Sequence, residues 1–130
     1  MQILVDTSVW IDFFHRSSSR KTALLKDALQ RREQIFITGI IAQEILQGIR
    51  QDLQHDSVLH YLLLFSRIDD EFDDYLAAAN IYRTLRRRGL TVRSPVDCLI
   101  AALAIKAKVS LLHNDSDFTA IARQFPLSVI

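Results

Sequence analysis

The sequence predicts an α/β domain with a mostly parallel central sheet covered by helices on both faces. Two patterns carry this expectation. Short apolar, β-branched runs (QILV at 2–5, IFIT at 35–38, VSLL at 109–112) alternate with longer stretches at helical spacing, as in buried parallel strands linked through helices. The chain has 130 residues, 49% of them hydrophobic, enough for one well-cored domain over residues 1–130 and too few for two.

The elements follow in order. QILV runs into Asp6-Thr7-Ser8, whose short polar side chains suit a strand-to-helix turn; Ser8 is the expected cap of a short helix over 9–14. A second helix is expected over about 20–31, with Ala23, Leu24 and Ala28 along one side. IFIT is the next strand, and Thr38 can cap a helix running to about 49. Residues 53–66 read as a helix with apolar residues around most of its circumference, and residues 71–88 as another whose apolar face is Phe72, Tyr75, Leu76, Ala79, Tyr82 and Leu85. Acids crowd the start of that helix and Arg86-Arg87-Arg88 its end before Gly89, an order that suits the helix dipole. Ser94-Pro95-Val96-Asp97 places an N-cap, a proline at N1 and an acid at N3 ahead of an alanine-rich helix. VSLL, a polar turn at 113–118, a short helix and a terminal strand PLSVI complete the chain.

Composition narrows the function. A net charge of +1 excludes a histone-like polycation, although local charge still permits nucleic-acid binding. Cys98 is the only cysteine, which excludes disulfides and Cys-rich metal sites. With no signal-like N-terminus and no apolar run near the roughly 20 residues a bilayer needs, the expectation is a reduced, cytoplasmic protein.

Acids placed straight after apolar runs are the informative feature. Asp6 follows ILV, and Asp115 and Asp117 follow VSLL; Asp97 opens the helix before that strand, and Glu44 lies inside the helix after IFIT. In an open parallel sheet, ligands bind beyond the carboxyl ends of the strands, so these carboxylates can meet there. Such a cluster repels itself and is best tolerated around a cation; without His or Cys ligands it favours Mg²⁺, or Mn²⁺, over Zn²⁺. Each acid also has an ordinary structural role available. Asp6 and Asp115 can cap their own turns, Asp97 suits N3, Asp117 a first turn, and Glu44 an exposed helix face. Asp12 reads as the polar face of its short helix. His15, His55, His60 and His113 show no zinc spacing, although His113 adjoins Asp115 closely enough to touch a substrate. Arg83, Arg86, Arg87, Arg88 and Arg93 include no acid among them; they form either a solvated helix end or a track for a phosphate backbone, to which Arg20 and Lys21 could add.

Four stretches in this order, VDTSVWIDFF at 5–14, ITGIIAQEILQGIR at 37–50, SPVDCLIAALA at 94–104 and LLHNDSDF at 111–118, resemble the PIN-domain family. The likeness is strongest to the VapC-type toxins of toxin–antitoxin pairs and covers essentially the whole chain. The family's acidic site then maps onto Asp6, Glu44, Asp97 and Asp115, with Asp117 the second late acid, and its retained hydroxyl onto Thr7 or Ser8. His113 is a departure, because relatives commonly have Thr or Ser there. The resemblance implies a three-layer α/β/α fold, a homodimer, an RNA substrate and a cognate antitoxin that blocks the active-site groove.

The implied chemistry uses no protein nucleophile. Asp6, Asp97 and Asp115 hold one or two divalent ions, with Glu44 and Asp117 completing the shell directly or through water, Asp117 being the first candidate for a water-mediated role. Activated water cleaves the phosphodiester to leave a 5′-phosphate and a 3′-hydroxyl, and Arg83, Arg86 and Arg87 bind substrate. The apolar helix at 53–65 is the expected dimer seam. The alternatives are an RNA-maturation nuclease, a phosphotransferase with Asp6 as nucleophile, and a non-catalytic nucleic-acid- or partner-binding module.

Overall fold

In the computed structural model, which describes Met1–Ile130, four parallel strands form one sheet in the order β3-β2-β1-β4. The strands are β1 (Gln2–Val5), β2 (Gln34–Thr38), β3 (Ser66–Ile68) and β4 (Ser110–Leu112). Ile3 stands opposite both Ile35 and Ser110, and Thr38 opposite Ile68. Six helices connect the strands, α1 (Thr7–Phe14), α2 (Arg20–Gln30), α3 (Gly39–Gln47), α4 (Asp52–Leu62), α5 (Phe72–Arg87) and α6 (Pro95–Ala107), and α7 (Ser116–Ala122) follows β4. The chain moves outward from β1 to β2 and β3, then returns past β1 to lay down β4. Right-handed crossovers in opposite directions put their helices on opposite faces. Accordingly α1 packs with α2 and α3, whereas α6 packs with α5 and α7.

Helix α6 is the centre of the second layer. Every residue from Cys98 to Ala104 is buried, because its alanines let neighbouring backbones approach closely. Cys98 is buried as expected, and burial pushes its thiol up to about 11, with Asp97 and Asp117 adding to the effect. On the other face, fully buried Trp10 stacks on Phe14 at 5.6 Å and meets Tyr61 and Phe65, pinning α1 to the end of α4. Its indole N–H is buried without a partner, a desolvation cost of about 1–3 kcal/mol accepted for the apolar contact.

Four expectations need correction. The helix expected over 53–66 ends at Leu62, and Ser66–Ile68 is the edge strand β3. Ile68 is the only buried residue of that strand, so three residues gave no alternation to read. The expected apolar face of α5 is mostly outside. Phe72, Tyr75 and Leu76 are exposed, while Asp74, Ala78, Ile81 and Leu85 face inward. Asp74 is the reason the inner stripe was not legible, since a carboxylate rarely marks a core position. Burial opposes its ionisation, but a 2.6 Å hydrogen bond from Lys106, the Glu71 N–H and the Lys106 charge hold it below the usual carboxylate range. PLSVI makes a single parallel bridge, Leu111 to Val129, and no strand. Finally Asp6, not Ser8, caps α1.

Candidate active site

The order in which the chain lays down its strands reverses between β1 and β4, and open α/β sheets place ligands beyond the carboxyl ends at such a point. Both strands end in acids here. The Asp6 amide donates to the Leu112 carbonyl at 2.9 Å, binding the end of β1 to the end of β4. Asp6 Oδ2 accepts from the Ser8 amide at 3.1 Å and the Ser8 hydroxyl at 2.6 Å. Ser8 Oγ in turn accepts from the Asn114 amide. This small network draws the two strand-to-helix turns together. Burial raises the pKa of Asp6, the Ser8 bonds oppose the rise, and Asp115 adds repulsion.

The β4 turn supplies Asp115 and Asp117. Asp115 Oδ1 caps α7 by accepting from the Asp117 amide at 2.9 Å, and Asp117 is buried. Asp97 reaches them from the first turn of α6. Ser94 caps that helix through the Val96 amide, but Asp97 does not complete a capping box, in contrast to the N3 residues of α2 and α5. Its carboxylate joins Asp115 and Asp117, with ligand oxygens all within 4.8 Å of one another. Burial first, then a hydrogen bond with Asp117 and repulsion from Asp115, Asp6 and Asp117, push Asp97 up to about 8.

The sequence-expected residues therefore stand in two connected groups. Asp97, Asp115 and Asp117 form the tight triad, with Asp117 inside it. Asp6 stands beside them, and Glu44 follows through Thr7, whose hydroxyl donates to Glu44 Oε1 at 2.8 Å. Burial raises the pKa of Glu44, with Thr7 opposing and Asp6 adding to the rise. Thr7 thus orients Glu44 and Ser8 orients Asp6. His113 is buried against Phe118, and its Nδ1 accepts from the Asp115 amide at 3.1 Å. A Thr or Ser hydroxyl could receive that same N–H, so His113 keeps the turn's hydrogen bond with a larger side chain. Burial and then the Lys21 charge lower its pKa, favouring the neutral ring. Lys21 itself is tied to the carbonyl of Ile130.

Of the basic residues, Arg83, Arg86 and Arg87 are exposed on α5. Arg86 lies 5.7 Å over the Tyr82 ring. Arg83 lines a groove of about 500 Å³ between α5 and α6, together with Tyr75, Tyr82, Val96 and Arg93. The contact that sequence reasoning did not supply is Arg93 with the acids. Its guanidinium donates to Asp115 Oδ1 at 3.0 Å and its amide to Asp117 Oδ2 at 3.0 Å. The sequence signals were its membership of the acid-free arginine run and its place one residue before the Ser94 cap.

The carboxylate set suits a hard divalent cation, because three close acids with no thiol or ring nitrogen among them are stabilised by positive charge. No helix is long and apolar enough to cross a membrane.

Comparison with known proteins agrees with this architecture. The PIN domain family model matches residues 3–124. Ribonuclease VapC11 of Mycobacterium tuberculosis is 41% identical over 124 residues, covering 93% of this chain and 92% of the relative. Among solved structures, VapBC2 from Rickettsia felis bound to a DNA fragment from their promoter superposes with a TM-score of 0.77 at 20% identity, over 100% of this chain and 98% of the other. A toxin–antitoxin complex from Klebsiella pneumoniae gives 0.74 at 22% identity, over 98% and 95%. The fold, the matched family model and the VapC relative agree: the chain belongs to the PIN-domain family and is of the VapC ribonuclease type.

Proposed function

We propose that the chain is a divalent-metal-dependent endoribonuclease acting as the toxin of a toxin–antitoxin pair. The carrying observation is the Asp97–Asp115–Asp117 triad at the switch point of the sheet. Asp97, Asp115 and Asp117 would hold Mg²⁺ or Mn²⁺, with Asp6 beside them. When bound, the ion supplies Lewis acidity, activating water and neutralising charge on the scissile phosphodiester. Glu44, oriented by Thr7, would add a further carboxylate beside Asp6, and Ser8 fixes the side chain of Asp6. Arg83, Arg86 and Arg87 gather the polyanion by charge. The products are a 5′-phosphate and a 3′-hydroxyl.

RNA as substrate is supported by the VapC ribonuclease relative. A cognate antitoxin is supported by the fold shared with the Klebsiella complex. A homodimer is part of the same reading. Leu53, Leu63 and Leu64, in and after α4, are exposed, in keeping with a seam there. The stripe Phe72, Tyr75 and Leu76 on α5 is a second apolar surface for it. A cytoplasmic location follows from an RNA target inside the cell.

The test incubates purified protein with single-stranded RNA and Mg²⁺ or Mn²⁺, then maps the new 5′ ends. Cleavage stopped by a chelator supports the proposal. Full cleavage by metal-free protein in excess chelator defeats it. An RNA-maturation nuclease would share this chemistry but leave growth intact on induction without the antitoxin. The binding-module reading draws on the capping bonds of Asp6 and Asp115; loss of turnover in Asp6→Asn with retained fold would overturn it.

A further inference from the structure

We propose that Arg93 is the exchangeable counter-charge of this site. It pairs with the triad in the absence of a divalent ion and moves to the substrate phosphate once an ion is held, coupling metal binding to RNA binding. The inference rests on the reading of the triad as a divalent-metal site.

Three observations carry it. First, the guanidinium takes Asp115 Oδ1 at 3.0 Å and lies 3.8 Å from Asp117 Oδ1. Both residues belong to the triad, so a guanidinium and a divalent ion draw on the same carboxylates. Second, the side chain is 73% exposed. An ion pair so open to water adds little to stability, and its release costs the fold little. The backbone is held by contacts other than those of the guanidinium, by the Arg93 amide on Asp117 Oδ2 and by buried Val92 next to it. The residue therefore has a fixed root and a mobile head. Third, Arg93 also lines the groove between α5 and α6, where Arg83, Tyr75 and Tyr82 stand. A released guanidinium has a destination: a second cation beside aromatic rings at the edge of the acids, which suits a single-stranded nucleic acid.

Binding linkage makes the device reciprocal. If the ion frees Arg93 for a phosphate, RNA that takes Arg93 must favour the ion by the same factor.

The experiment compares wild type with Arg93→Gln and Arg93→Lys. Mn²⁺ affinity is measured by calorimetry without RNA. Binding of a fluorescent oligouridylate is measured by anisotropy against salt, in chelator and in Ca²⁺. Removing the competitor should tighten Mn²⁺ binding about threefold or more in Arg93→Gln, with Arg93→Lys between that variant and wild type. In wild type, moving from chelator to Ca²⁺ should steepen the salt slope for RNA by about 0.7, one added phosphate contact on a single strand. Arg93→Gln should lose that increment, and Arg93→Lys should recover it. A residue needed only for folding would change neither quantity while the melting temperature held. Equal or weaker Mn²⁺ binding by Arg93→Gln, or the same slope increment with and without Arg93, would overturn the exchange. Absence of Mn²⁺ binding by wild type would instead defeat the metal-site reading and this proposal with it.

Discussion

Replacing Asp97 by Asn removes one charge from the triad and keeps the shape of the side chain. In the fold its carboxyl is pushed up to about 8, by burial first and then by its acidic neighbours, against 3.8 for an ordinary Asp. The folded protein therefore keeps a proton between those values that the unfolded chain has released, so without metal it loses stability as pH rises through that window. At full strength the separation corresponds to about 6 kcal/mol. Asp97 is only partly buried and water screens it, which leaves about 1–2 kcal/mol. In chelator at pH 8, Asp97→Asn should melt higher than wild type by about 3–8 °C. The gain should shrink towards pH 5, where Asp97 already carries its proton in the fold. Excess Mn²⁺ should reverse the order, because wild type gains about 2.7 kcal/mol at a hundredfold excess over Kd and the variant gains less. Circular dichroism melts at the two pH values, with and without metal, measure all of this. A variant less stable than wild type in chelator at pH 8, or a gain unchanged at pH 5, would return Asp97 to an ordinary helix-start role.

Four further outcomes are expected. Asp6→Asn, Glu44→Gln and Asp117→Asn should each lower RNA cleavage by at least about tenfold with an unchanged helical spectrum; Asp117 belongs with the severe cases, because it lies inside the triad. Replacing Arg83, Arg86 and Arg87 together by Gln should reduce the salt slope of RNA binding by about 2, read by anisotropy at several ionic strengths. Lys106→Met leaves Asp74 buried without its partner and should cost about 1–2 kcal/mol in urea unfolding. Leu63→Asp and Leu76→Asp address the two candidate dimer seams; light scattering should show monomers for the one that lies in the interface, and wild type running as a monomer at micromolar concentration would refute the dimer.

The layout of the site was legible because parallel sheets put function at strand ends, and ILV-D and VSLL-HND mark two such ends in the sequence. Thr38, Ser94 and Asp115 were legible as caps for the same local reason. What stayed hidden depended on partners far along the chain. Asp74 is tied locally to the Glu71 amide, but the charge that lets it stay ionised inside comes from Lys106 on α6. Ser66–Ile68 is a strand only because β2 offers an edge. The guanidinium of Arg93 could not be assigned to the acids without the fold of the loop that carries it.

The pairing of β1 with β4 has a consequence for how the protein is made. Residues 3–5 lie against residues 110–112, and Ser8 steadies Asp6 partly through the Asn114 amide. A growing polypeptide emerges from the ribosome N-terminus first, so until β4 has been made β1 has one edge uncovered and Asp6 lacks its eventual neighbours Asp115 and Asp117. An interrupted chain that stops short of β4 would carry no assembled site, and its open strand edge would invite aggregation. The acids of this site come together only once β4 and the turn after it have been made.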